Sequence, residues 1–236
     1  MNDVHPDSHT LISFVRHGRV HNPRKIVYGR LPRFRLSDHG LEEARLASRR
    51  LKDEPIAAVF SSPLLRARQT AREIAAQHVG IPTGISRLLN EVCTPFQGQP
   101  SAYADRVAWY LPEAAGCRFE RPVDVADRVE RFIRTVRRRF TGRHVVAVTH
   151  GDVIAFLFLR ARGAELTPKN RLKMSDFGLP DRYPATGSVI TLTFDGAKGA
   201  PGNSPRRIDY WRPDTSSRGS GFTGDRGTIG SEKQSR

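Results

Sequence analysis

Three short apolar runs constrain this chain more than any other feature. Thr10-Leu-Ile-Ser-Phe-Val15, Ile56-Ala-Ala-Val-Phe60 and His144-Val-Val-Ala-Val148 are each five or six residues long, and each stops at a polar turn. Runs this short and this continuously apolar suit strands buried on both faces, as a parallel sheet requires. Stretches with helical signals lie between them. Ser37 suits the N-cap of a helix carrying Leu41, Ala44, Leu46, Ala47 and Leu51. Pro63 suits the opening of a helix over Leu64–His78. Val125, Val129, Phe132, Ile133 and Val136 form the apolar face of a helix over Val123–Phe140, and a further helix follows Gly151 through Leu159. Ser188–Phe194 and Arg206–Trp211 read as strands with no helix between them, hence an antiparallel hairpin at one edge. Strands alternating with helices give the α/β class with a mostly parallel sheet.

The rest of the chain frames one domain. Residues 1–9 read as a flexible polar arm, 10–212 as the folded unit and 213–236 as a disordered tail of Gly, Ser and Arg. The 236 residues, 38% hydrophobic, suffice for one sizeable core. Residues 90–122 are punctuated by Pro95, Gly98, Pro100, Pro112 and Gly116, so they form a long irregular segment with one helix near Tyr103–Leu111. The formal net charge of +15 makes anionic partners worth testing. The arginines of the 123–140 helix, Arg128, Arg131, Arg134 and Arg137–Arg139, read as a solvated face and do not point to nucleic acid. Cys93 and Cys117 make neither a disulfide scaffold nor a metal-binding CxxC pair. The longest apolar run, Val153–Leu159, is seven residues, against the roughly 20 of a membrane span. The first nine residues hold no apolar stretch of the signal-peptide kind, so the expected location is the cytoplasm. Gly219-Ser-Gly221-Phe-Thr-Gly224 has dinucleotide-loop spacing, but it neither follows a strand nor opens a helix.

Ligand sites of open α/β sheets lie beyond the carboxyl ends of the strands. Here those ends deliver Arg16-His17-Gly18, then Ser61-Ser62-Pro63 with Arg66 one turn further, then His150-Gly151. Two histidines and an arginine group therefore converge from distant parts of the chain. That set suits phosphoryl transfer. A neutral imidazole attacks phosphorus through one nitrogen when its other N–H is held by an acceptor. Arginine forks neutralise phosphoryl oxygens, and a helix N-terminus after Gly151 adds backbone donors. The leaving oxygen needs a proton, and Glu91 in Leu88-Leu89-Asn90-Glu91 is the best-placed acid. Glu113 and Glu120 are the next candidates.

These motifs resemble those of the histidine phosphatase superfamily, which includes the cofactor-dependent phosphoglycerate mutases. Phe14-Val15-Arg16-His17-Gly18 resembles the nucleophile motif, and Ser61-Ser62-Pro63-Leu64-Leu65-Arg66-Ala67-Arg68 the second motif. Leu89-Asn90-Glu91 resembles the acid segment and Val148-Thr149-His150-Gly151 the last motif. The resemblance implies a three-layer α/β/α sandwich and a phosphorylated small molecule as substrate, with no metal and no cofactor. It implies His17 as the phosphohistidine nucleophile, Arg16, Arg66 and His150 as the phosphate pocket, and Glu91 as proton donor and later base. It adds Asn22 and Gly151 to the substrate-binding residues.

Departures from the pattern narrow the activity. The mutases follow the acid with an Arg-x-Tyr-Gly type segment, whereas here Glu91 is followed by Val92-Cys93-Thr94-Pro95-Phe96. Many members carry Gly-Glu-Ser where this chain has Arg121-Pro122-Val123-Asp124. A phosphomonoesterase is therefore the expected activity. A mutase-like phosphotransferase and a non-catalytic anion- or RNA-binding protein of the same fold are the alternatives.

Overall fold

The computed structural model describes residues 9–106, 119–195, 204–214 and 227–229. The apolar runs become β1 (Thr10–Arg16), β2 (Ile56–Ser61) and, after a short β3 (Thr83–Ile85), β4 (His144–Thr149). The helices are α1 (Asp38–Leu51), α2 (Leu65–Ala75), α3 (Ser101–Arg106), α4 (Pro122–Arg139) and α5 (Gly151–Ala161). The chain then adds β5 (Val189–Phe194), β6 (Arg207–Trp211) and β7 (Gly227–Ile229). The sheet order is β3-β2-β4-β1-β5-β6-β7. Strands β3, β2, β4 and β1 are parallel neighbours, while β5, β6 and β7 run antiparallel beyond β1. The expected edge hairpin is the β5–β6 pair.

Alternation along the strands builds the layers, because successive side chains point to opposite faces. Val146 and Val148 of β4 pack with Ala47 and Leu51 of α1 and Ala67 and Ile74 of α2. Val145 and Ala147 pack on the other face with Val129 and Phe132 of α4 and Ile154 and Phe158 of α5. The result is an α/β/α sandwich. No helix among the described residues is long and apolar enough to cross a membrane.

Differences from the sequence expectations are local. The helix expected near Tyr103–Leu111 is found at Ser101–Arg106, and residues 107–118 lie outside the described part. Gly227–Ile229, within the tail expected to be disordered, pair with Ile208–Tyr210. They supply partners to the otherwise open edge of β6. The rest of 215–236, including the Gly219–Gly224 run, lies outside the described residues, as do residues 1–8.

Strand register positions the site. Arg16 stands opposite Thr149, and Ser61 opposite Val148, so three strand ends finish side by side. Two glycines then let two segments approach closely. A Cβ on Gly18 would sit 2.1 Å from the Gly40 carbonyl oxygen, and one on Gly40 would sit 1.9 Å from that of Arg19. The first turn of α1, capped by Ser37 Oγ accepting from Gly40 N at 3.0 Å, thereby presses on the segment after His17. Buried Glu43 ties the same segment down, accepting from Arg19 N at 2.6 Å and from Thr186 Oγ1 at 2.5 Å.

Candidate active site

A cavity of about 390 Å³ opens at the carboxyl end of the parallel strands, lined by Arg16, His17, Asn22, Glu91 and Gly151 among others. Arg66 and His150 stand directly behind it, hydrogen-bonded to each other and to the cavity residues. All seven site residues expected from sequence therefore meet in one place.

The hydrogen bonds fix the state of both imidazoles. Buried His17 lies 2.8 Å through Nδ1 from the Gly18 carbonyl oxygen. A carbonyl only accepts, so Nδ1 carries the proton and Nε2 holds a lone pair. Arg66 Nε donates to that lone pair at 3.1 Å. Arg66 Nη2 donates to His150 Nδ1 at 3.2 Å, which leaves His150 Nε2–H for Ser62 Oγ at 2.8 Å. Burial first, then the Arg66 and Arg16 guanidinium charges, hold the His17 pKa well below its ordinary value. Burial and Arg66 do the same for His150. Both rings are therefore neutral near pH 7.

The guanidinium groups are firmly seated, yet each keeps a donor in hand. Arg66 is fully buried at the start of α2, bonds Gly29 O through Nη2 at 2.8 Å and lies over the Tyr28 ring at 4.7 Å. Arg16 bonds Pro184 O through Nη1 at 2.5 Å and lies over the Tyr183 ring at 4.9 Å. Arg66 Nη1 and Arg16 Nε are buried with no hydrogen-bond partner among the described residues. Unsatisfied buried donors on cations are costly unless an anion meets them. The helix α5, starting at Gly151, adds its N-terminal dipole to the same spot.

Glu91 faces this group. Its Oε2 lies 3.5 Å from His150 Nδ1 and 3.8 Å from Arg66 Nη2, while Oε1 accepts from Val92 N at 2.9 Å. Burial and the Asp152 charge push its pKa up to about 7, against the pull of Arg66. The carboxyl is thus poised between its acid and base forms near neutrality. Of the other acid candidates, the described one is not available in this way. Glu120 is claimed by Arg30 Nη2 at 2.7 Å and Arg128 Nε at 2.8 Å, and Glu113 lies outside the described residues.

Several supporting residues escaped the sequence reading. Arg30 Nε donates to the Glu91 carbonyl at 2.7 Å, and Arg128 Nη1 to the Leu88 carbonyl at 2.5 Å. Together with Glu120 they fasten the acid segment to α4. Arg128 is buried and does not belong to a solvated face. Its position between Val125 and Val129, on the apolar stripe of α4, was the available signal. Tyr183 donates its hydroxyl to Asp152 Oδ1 at 2.6 Å, and Arg171 pairs with Asp152 Oδ2. Gly151 makes room for that tyrosine, since a Cβ there would lie 2.3 Å from its hydroxyl. Asn22 closes its own loop, donating through Nδ2 to Ile26 O at 2.8 Å and accepting from Ile26 N at 3.2 Å.

His17, Glu91 and His150 place their ligand atoms within 4.8 Å of one another, as metal ligands would. The Arg66 guanidinium already donates to both ring nitrogens of that triangle. A divalent cation would have to share the space with a buried cation and take lone pairs in use, so the chemistry of the set fits an anion better.

Comparison with known proteins agrees with this geometry. The family model of the histidine phosphatase superfamily (branch 1) matches residues 12–180. An uncharacterized protein of Mycobacterium tuberculosis is 36% identical over 195 residues, covering 79% of this chain and 91% of its own. The phosphoglycerate mutase-like protein 4 of Arabidopsis thaliana is 32% identical over 166 residues, 64% of this chain and 70% of its own. A mycobacterial glucosyl-3-phosphoglycerate phosphatase has the same fold, with a TM-score of 0.63 at 23% identity over 78% of this chain and 90% of that one. With the family match running from β1 through the acid segment to beyond α5, the chain belongs to branch 1 of the histidine phosphatase superfamily.

Proposed function

We propose that the protein hydrolyses a small phosphomonoester through a phosphohistidine at His17. The observation that carries this reading is the fixed tautomer of His17, with Nδ1–H on Gly18 O and the Nε2 lone pair turned toward Arg66 beside the cavity. The substrate's phosphoryl oxygens take over the Arg66 and Arg16 donors, which uncovers Nε2. Nε2 then attacks phosphorus, the P–O ester bond breaks, and the departing oxygen takes the proton of Glu91. Water next attacks the phosphohistidine, its proton passes to the Glu91 carboxylate, and the P–N bond breaks to release inorganic phosphate and restore both groups. Arg16, Arg66, His150 and the Gly151 end of α5 stabilise the phosphoryl charge throughout, with Asn22 shaping the loop above it.

Rapid quenching with a ³²P-labelled ester tests the reading. Label on His17, acid-labile and base-stable, is the expected result; label on Asp, Ser or Cys93 overturns it. Activity is expected to survive EDTA, because the buried guanidinium groups supply the positive field. Loss restored by a divalent ion would point to another mechanism.

The Glu91 pKa sets a second expectation. The protonated form is needed for ester cleavage and disappears as pH rises through about 7. The kcat/KM of an alkyl phosphate should therefore fall above that pH. The kcat/KM of p-nitrophenyl phosphate, whose leaving group needs little proton assistance, should lack this limb. Identical alkaline limbs for both esters would remove Glu91 from the acid role.

A further inference from the structure

Beyond its reactive end, the cavity says what the rest of the substrate is made of. Its outer wall is built by Val27, Pro95, Phe96, Phe119, Phe156 and Leu172. Phe119 and Leu172 are 46% and 42% exposed. Both belong to the same cavity, so an apolar surface continues from the reactive end out to solvent.

Charge on the same wall is already balanced. Asp152 is held by Arg171 and Tyr183, and Glu120 by Arg30 and Arg128. The loop arginines Arg24, Arg30, Arg33 and Arg35, which follow the nucleophile and could have met a second anionic group, do not line the cavity. Arg30 is turned onto Glu120 and the Glu91 carbonyl. The buried guanidinium nitrogens Arg16 Nε and Arg66 Nη1, which have no partner among the described residues, lie at the reactive end, where one phosphoryl group meets them.

We infer that the substrate is a phosphomonoester of an alcohol with an apolar, ring-sized body. This rests on the phosphatase reading above and deepens it. A small, fully polar body of the glycerol or glycerate type would leave Phe96, Phe119 and Leu172 without an apolar partner. An aromatic or alicyclic body would instead remove those side chains from water.

Primary alkyl esters of similar leaving-group basicity separate the possibilities without confounding by chemistry: 2-phenylethyl phosphate, ethyl phosphate, glycerol 3-phosphate and 3-phosphoglycerate. With the full chain, kcat/KM for 2-phenylethyl phosphate should exceed that for glycerol 3-phosphate and 3-phosphoglycerate by on the order of 10²-fold, the span that burial of one ring supplies. Phe119→Asp combined with Leu172→Asp should cut this preference by about tenfold or more, by the same burial arithmetic. Both side chains are substantially exposed, and a melting curve confirms that the double variant is folded. Equal use of the four esters, or a preference for glycerol 3-phosphate or 3-phosphoglycerate, overturns the inference and leaves the phosphatase reading standing. Failure to cleave any ester overturns that reading and this inference with it.

Discussion

Replacing His17 with Ala is expected to lower phosphoester turnover by about 10⁴–10⁶-fold, the order reached when the nucleophile of a covalent mechanism is removed. The size follows from position. Nε2 lies 3.1 Å from Arg66 Nε, and the ring is held edge-on to His150 with centroids 5.1 Å apart. His150 is bonded to Arg66 and Ser62 behind the cavity, whereas His17 lines it, so His150 is not placed to take over the attack. The sheet should not suffer, because β1 is held by β4 and β5 through backbone bonds independent of the ring. Steady-state assay and circular dichroism of His17→Ala check this together. A folded variant with a tenth of the wild-type rate would show that the phosphoryl group travels by another route.

Glu91→Gln is expected to separate two kinds of substrate. The amide keeps the shape and the bond from Val92 N but has no proton of suitable acidity to give. Single-turnover phosphorylation by an alkyl phosphate should slow by about 10²–10⁴-fold, the usual contribution of general acid catalysis. Phosphorylation by p-nitrophenyl phosphate should slow far less. Steady-state rates with the phenolic ester should still fall, because in the proposed mechanism the carboxylate also activates water for the second step. Early time points therefore carry the comparison. Equal slowing of both esters in the phosphorylation step would mean that Glu91 only shapes the site. The alkaline limb near pH 7 should vanish in the same variant, because the titrating group is gone.

The centre of the site was legible because its chemistry sits at strand ends, where fold and sequence coincide. His17, His150 and Ser62 follow buried apolar runs directly, and Arg66 follows Pro63 by one turn, so reading the strands also placed the residues. Glu91 was legible only through its local segment and the motif it resembles, since nothing periodic surrounds it. The supports were less legible. Arg30, Glu120 and Arg128 come from three separate segments and are joined only by tertiary ion pairs. Tyr183 lies in the irregular stretch between α5 and β5, and its part in seating Arg16 depends on a ring stacked across 4.9 Å. The arginines of α4 illustrate the limit of charge counting. Arg131, Arg134 and Arg138 are exposed as expected, whereas Arg128 is buried in an ionic cluster on the same helix.

The place of β1 in the sheet has a consequence for how the protein is made. The strand that delivers His17 is the first to be synthesised, yet its hydrogen-bonded neighbours begin at His144 and end at Phe194. At ribosomal speeds of roughly 5–20 residues per second, it waits on the order of 10–40 s for both partners to emerge. Until then its apolar edges have no native partner. Loop closures this long make pairing slow and expose the nascent chain to aggregation, a burden that falls on chaperones. The same delay is protective. Chains broken off anywhere before β5 cannot complete the sheet around β1, so truncated products should be unable to hold His17 beside Arg66 and His150.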